Sequence, residues 1–346
     1  MIREAIFTAA LLSATSAFAQ DTVGDFYRGK TMTLYVGASA GGGVDLFGRM
    51  VAKHLGRFIP GAPNVVVQNV PGAGSLVAAK NLYTLAPKDG TVLATVLPGA
   101  FFDPLFSPQP GDSRDKYDPT KFNYVGNGNP EALVCVVRDD APVKKYEDLF
   151  TRELIVGTPG GGSTVHLYSV VMKTLVGAKL KIVTGYPGVR EVTLAAQSGE
   201  VQGICGVAWT TVKLQFPGSI EGKGGFKVVA QVGATGHPDL DKAGIPLTSS
   251  SARDAKTREA LDVFYSQGMF SRAFMLPPGV PAERVAAVRK AFLDAIRSPA
   301  LQEEAEKIAQ EAVPDAGETL DTMVKKIYGA PADVIEIIKA AVAQAN

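Results

Sequence analysis

Two rhythms of apolar residues alternate along the first two-thirds of the chain. Short runs rich in β-branched residues, closed by Gly or Pro, predict strands over 31–36, 64–68, 91–97, 133–137, 154–157, 181–183, 201–205 and 227–232. Between them apolar positions return at three- and four-residue steps and predict helices over 45–58, 75–85, 163–176 and 189–198. On the first of these, Leu46, Met50, Val51, Leu55 and Phe58 share one face. After residue 250 the rhythm is almost wholly helical, over 253–265, 281–296, 299–312 and 320–345 with a break near Pro331; only 270–276 reads as extended. This β-α-β-α order predicts two successive open parallel sheets, over about 31–125 and 130–232, followed by a helical C-terminal region. The Pro-rich segment 98–119 reads as a surface connection between them.

Composition narrows the function classes. The chain has 346 residues, 46% hydrophobic and 20% charged, enough for one or two real cores. Its 35 basic and 34 acidic residues leave a formal charge of +1, which argues against nucleic acid as a partner. Residues 1–20 carry Arg3, an apolar stretch over 5–12 and the small-residue close Ala17-Phe18-Ala19 before Gln20, the pattern of an export leader cleaved after Ala19. No later run reaches the roughly 18 apolar residues of a membrane helix. An exported chain meets an oxidising compartment without ATP, which weakens any nucleotide-based reading.

Two enzyme-like motifs are set against that background. Residues 24–31 match the P-loop letter for letter, but a strand follows the Lys-Thr where a helix is needed. Gly37-Ala38-Ser39-Ala40-Gly41 matches the nucleophile elbow with a strand before it and a helix after, so a secreted serine hydrolase using Ser39 is the rival reading. Against it, about a dozen mature residues precede the strand, and His237 is the one convenient triad histidine among His54, His166 and His237.

A stronger constellation is one device used four times: a Gly-rich turn that ends a strand and presents a helix N-terminus. It occurs at Ser39, Gly41, Gly42, Gly43 and Asp45; at Gly72, Ala73, Gly74 and Ser75; at Gly161, Gly162, Ser163 and Thr164; and at Tyr186 and Gly188. Amide groups in such turns approach a ligand closely and the helix dipole favours an anion, which makes carboxylates natural guests. Asp45 reads most simply as a first-turn carboxylate stabilising its own helix. Arg190 is a candidate partner for a ligand carboxylate, and Tyr186 and Trp209 are candidate pocket walls. Cys135 and Cys205 read as two buried small apolar residues, with a disulfide the alternative. No metal spacing and no cofactor motif emerges.

The combination of the export leader, Tyr27-Arg28-Gly29-Lys30-Thr31, Gly41-Gly42-Gly43-Val44-Asp45, Asn69-Val70-Pro71-Gly72-Ala73-Gly74-Ser75, Pro87-Lys88-Asp89-Gly90-Thr91 and Gly199-Glu200-Val201 resembles the Bug family, the periplasmic solute receptors of tripartite tricarboxylate transporters. The resemblance runs over nearly the whole mature chain. It implies an α/β, two-lobed type II periplasmic binding protein of the Venus-flytrap kind, with lobe 1 over 20–127 and 233–346 and lobe 2 over 128–232. It further implies a monomeric, non-catalytic receptor that closes on a small organic carboxylate. Such a receptor passes the ligand to a large and a small membrane subunit; one that docks on a signalling partner is the alternative. Val44 stands where the family usually has a hydroxyl residue, and Pro187 where a basic one is common, so the particular carboxylate does not carry over.

Overall fold

The structure, a computed structural model, describes residues 22–38, 40–106, 117–159, 163–308 and 310–345. The export leader, Ser39, Gly161 and Gly162 lie outside the described residues. The strands are β1 (Thr31–Val36), β2 (Asn64–Asn69), β3 (Val92–Thr95), β4 (Asn123–Asn127), β5 (Leu133–Arg138), β6 (Leu154–Pro159), β7 (Leu180–Tyr186), β8 (Gly203–Ala208), β9 (Phe226–Gln231), β10 (Ala273–Leu276) and β11 (Asp315–Ala316). They form a six-stranded sheet in the order β11-β4-β10-β3-β1-β2 and a five-stranded sheet in the order β7-β6-β8-β5-β9.

Both sheets are mixed, where the sequence led us to expect parallel ones. β1 pairs parallel with β2 and β3, but β10 runs antiparallel to β3 and β4. In the second sheet β5 runs antiparallel to β8 and β9. The cause is topological. The chain leaves the first sheet through β4, enters the second through β5 and returns through β10, and each entering strand runs against the strands whose ends face the other sheet. Periodicity reports burial and says nothing of direction.

The helices are α1 (Val23–Tyr27), α2 (Gly43–Leu55), α3 (Leu76–Thr84), α4 (Gly99–Phe106), α5 (Thr164–Val171), α6 (Val189–Ser198), α7 (Trp209–Gln215), α8 (Pro238–Lys242), α9 (Ala255–Tyr265), α10 (Ala282–Arg297), α11 (Pro299–Lys307), α12 (Gly317–Tyr328) and α13 (Ala332–Val342). α2, α10 and α11 cover one face of the first sheet around Leu34, Phe47, Phe274 and Phe292. α3, α4, α12 and α13 cover the other, and that core continues unbroken to α5 and α9 against the second sheet. α6, α7 and α8 close the remaining face. The two sheets thus share one apolar core along one side. α4 corrects the expected surface connection: Phe101 and Phe102 are buried, their rings 5.4 and 5.2 Å from that of Phe270. A second correction concerns the cysteines. Cys135 and Cys205 are facing residues on β5 and β8 with Cα atoms 3.9 Å apart, and they form a disulfide.

Candidate functional site

β1, β2 and β3 all end at the same edge of the first sheet, and the turns that follow them form one unit. α2 opens at Gly42 with no side-chain cap, and Gly41, Gly42 and Gly43 are exposed. Asp45 organises the turn from below. Its buried carboxylate accepts from the Gly41 N–H at 2.8 Å, from Arg49 Nε at 3.0 Å and from Asn69 Nδ2 at 2.8 Å. Burial pushes the carboxyl up, but these bonds outweigh it and hold the group below its ordinary value. Asn69 also donates to the Ala38 carbonyl at 2.9 Å, so β2 anchors the turn after β1.

The second turn is held in an uncommon backbone form. Gly72, Ala73, Gly74 and Ser75 have φ of 134°, 45°, 61° and 79° in succession, two of them in residues with a side chain that disfavours it. The Ser75 hydroxyl keeps them there: buried, it donates to the Gly37 carbonyl at 2.7 Å and accepts from the Leu97 N–H at 3.0 Å. One side chain therefore ties together the turns after all three strands. A Cβ on Gly37 would lie 2.7 Å from Ser75 Cβ and Oγ, so only glycine allows that approach.

In the second sheet the turns after β6 and β7 lead to α5 and α6. Ser163 caps α5, its Oγ accepting from the His166 N–H at 3.2 Å, and Thr164 is half-buried in the first turn. α6 opens at Gly188 with no side-chain cap, and Arg190 is exposed in its first turn, paired with no carboxylate among the described residues. Tyr186 donates to Glu200 Oε1 at 2.7 Å; burial and that bond push its hydroxyl up to about 12. Trp209, the first residue of α7, is 4% exposed and packs with buried residues of α6 and α7.

Between the sheets the chain crosses at 128–132 and again at 268–272, and here sit residues that sequence reasoning missed. Glu131, buried on the first crossing, accepts from the Thr210 hydroxyl at 3.1 Å to each oxygen and lies 3.7 Å from Arg272 Nη2 on the second. The main chains are stitched alongside: the Gly128 N–H donates to the Arg272 carbonyl at 2.9 Å and the Glu131 N–H to Ser271 Oγ at 2.9 Å. Burial pushes the Glu131 carboxyl above its ordinary value despite Arg272 and Thr210. The available signal was a single charge inside an apolar run, Phe270-Ser271-Arg272-Ala273-Phe274. A cavity of about 670 Å³ opens beside these crossings, lined by Glu131, Gln231, His237, Tyr265, Met269 and Ile327, and none of the described glycine-turn residues lines it.

The comparisons agree with this architecture. The family model described as tripartite tricarboxylate transporter family receptor, TctC, matches residues 48–230, more than half of the chain. A curated relative, the UPF0065 protein in the gbd 5' region of Cupriavidus necator, is 30% identical over 211 residues, 58% of this chain and 61% of that protein. The chain thus spans about three-fifths of the length of that relative. A TctC solute-binding protein from Polaromonas, solved without ligand, superposes with a TM-score of 0.66 at 19% identity over 91% of this chain and 99% of that one. A protein of R. palustris solved with adipate gives 0.63 at 21% identity over 90% and 97%. The two mixed sheets have the fold of these periplasmic binding proteins, and the chain belongs to the tripartite tricarboxylate transporter receptor family, a family of binding proteins and not of enzymes.

Proposed function

We propose that this protein captures a small organic carboxylate in the cleft between its sheets and delivers it to the membrane subunits of a tripartite transporter. The reading is supported by the pair of helices, α2 and α6, that open from glycine turns without a side-chain cap. Uncapped amide groups at a helix start are donors awaiting an anion, and carboxylates match them. The R. palustris relative solved with adipate supports a dicarboxylate as the guest. In this reading the leader is removed after Ala19, the periplasmic chain acts as a monomer, lobe 1 comprises 20–127 and 233–346, and lobe 2 comprises 128–232. The ligand turns are Ser39–Asp45 and 71–75 of lobe 1 and 160–164 and 186–188 of lobe 2.

The test uses protein recovered from the periplasm, whose intact mass also reports where the leader ends. It is titrated by calorimetry with mono-, di- and tricarboxylates and aromatic acids. At least one acid is expected to bind at micromolar Kd, a total of about 8 kcal/mol. Failure of every acid in the panel to bind would overturn the proposal, and ester turnover abolished by Ser39→Ala would favour the hydrolase instead.

A further inference from the structure

We propose that Arg272 is the cationic contact for one carboxylate of the ligand, received at the N-terminus of α2, and that Glu131 is the residue that positions it. The proposal deepens the function above and rests on that reading of the cleft as a carboxylate site.

Arg272 comes to the cleft from the returning crossing of the hinge. Its guanidinium passes the Phe47 ring, Cζ 5.9 Å from the ring centre, and its Nη2 lies 3.3 Å from where a Cβ on Gly43 would stand. The absent side chain at Gly43 is what gives it access to the first turn of α2. A guanidinium carries five N–H donors. Here Nη1 donates to the Ser271 carbonyl at 3.0 Å, and the Glu131 carboxylate at 3.7 Å is close enough to attract and too far to accept a hydrogen bond. Glu131 is itself occupied by Thr210. Nη2 therefore keeps donor capacity beside exposed Gly43, in the first turn of a helix whose start has no side-chain cap. A planar cationic fork beside a helix N-terminus suits a carboxylate, which both attract. Arg49, the other arginine near this turn, is committed to Asp45 and Asn69. Because Glu131 compensates the charge in the empty cleft, the guanidinium stays buried and oriented between ligands.

The consequence is a preference for ligands with two charged ends. Adipate and hexanoate, which share a six-carbon chain and differ in one carboxylate, are titrated into the parent, R272Q and E131Q by calorimetry. In R272Q adipate affinity is expected to fall about 10- to 100-fold while any hexanoate affinity changes less than about threefold, so the ratio collapses. E131Q, which keeps the guanidinium's charge but removes the carboxylate that orients it, lowers the ratio by less than R272Q does, and an unchanged ratio in E131Q overturns the positioning role. Should R272Q fail to fold, the double variant E131Q/R272Q replaces the buried ion pair by two neutral amides and is expected to lose the ratio as well. If Arg272 were merely the counter-ion of Glu131, R272Q and E131Q would weaken both acids alike, and that result overturns the inference while leaving the receptor reading intact. A parent that binds neither adipate nor any other acid in the wider panel overturns both.

Discussion

Replacing Ser75 tests whether the turns after β1, β2 and β3 are one mechanical unit. The hydroxyl is 1% exposed and makes two bonds to two different turns, to the Gly37 carbonyl and from the Leu97 N–H. Ser75→Ala removes both and leaves a buried carbonyl and a part-buried N–H without this partner, at about 1–3 kcal/mol each. It retains a side chain at φ 79°, as the parent does, so the unpaired groups alone set an expected loss of about 2–6 kcal/mol. Ser75→Gly removes the same bonds but relieves the left-handed strain, about 1 kcal/mol, and should fall between parent and Ala. An ordinary helix-start serine behaves differently: Gly there costs a few tenths of a kcal/mol and Ala about 1. Urea unfolding followed by circular dichroism separates the cases, provided the m-value is unchanged. Ser75→Gly within about 0.5 kcal/mol of the parent would refute the idea that this hydroxyl ties the turns together.

Two further outcomes follow from single contacts. The Cys135–Cys205 bond closes a loop with a sequence separation of 70, which in the chain-entropy account stabilises by about 4 kcal/mol. C135A/C205A should therefore unfold at markedly lower urea while keeping ligand affinity within about threefold, and two titratable thiols in the oxidised parent would contradict the pairing. Asp45 has a folded-state pKa below its unfolded value, so its contribution is complete above about pH 4 and is lost as pH falls through the folded value. Stability measured from pH 6 down to pH 3 should accordingly fall less steeply in Asp45→Asn than in the parent, and parallel curves would show that Asp45 is not held by these bonds.

Much of the fold was legible because burial leaves a periodic trace. Every strand expected from the β-branched runs has its counterpart, although the run at 201–205 proved to be the start of β8, 203–208. β4 was missed because its residues, Asn123-Tyr124-Val125-Gly126-Asn127, lack the pattern of a strand. Gly126 is there for a neighbour: a Cβ on it would sit 2.6 Å from the Phe292 ring. α4 was missed because Pro98 and Pro104 mask an apolar helix as a loop. The glycine turns were legible as turns, yet the tasks of their side chains were not. Ser75 and Ser163 belong to the candidate ligand turns, and both hydroxyls take part in holding the protein's own backbone. Local sequence identifies a polar residue near a helix start, while the choice between backbone and ligand is made by residues far along the chain. The Glu131–Arg272 pair, separated by 141 positions in sequence and brought together where the chain crosses between the sheets, is the extreme case.

Under the proposed receptor function, in which the two lobes close on a carboxylate, that division of labour bears on how closure is controlled. On one side of the cleft axis the two sheets share a continuous apolar core through α5, α9 and α13, so relative motion has to keep that seam packed and pivot close to it. Farther out, α7 and the segment after α11 meet through Lys213 and Glu311, partly exposed groups of the kind that contribute about 0–1 kcal/mol. Such a contact is too weak to hold the two sheets together alone. Uncapped helix starts add about 0.3–1 kcal/mol each toward an anion, again well short of the roughly 8 kcal/mol of micromolar binding. The balance has to come from directed bonds and from burial of the ligand, both of which exist only when the ligand touches both lobes. Rigid turns fixed by Ser75, Asp45 and Asn69 lower the entropy lost on forming those bonds, because the donors are already aimed before the ligand arrives. The buried polar network of the first lobe and the shared apolar seam thus do complementary work: one fixes where the donors point, the other fixes the axis about which the second set is brought to meet them.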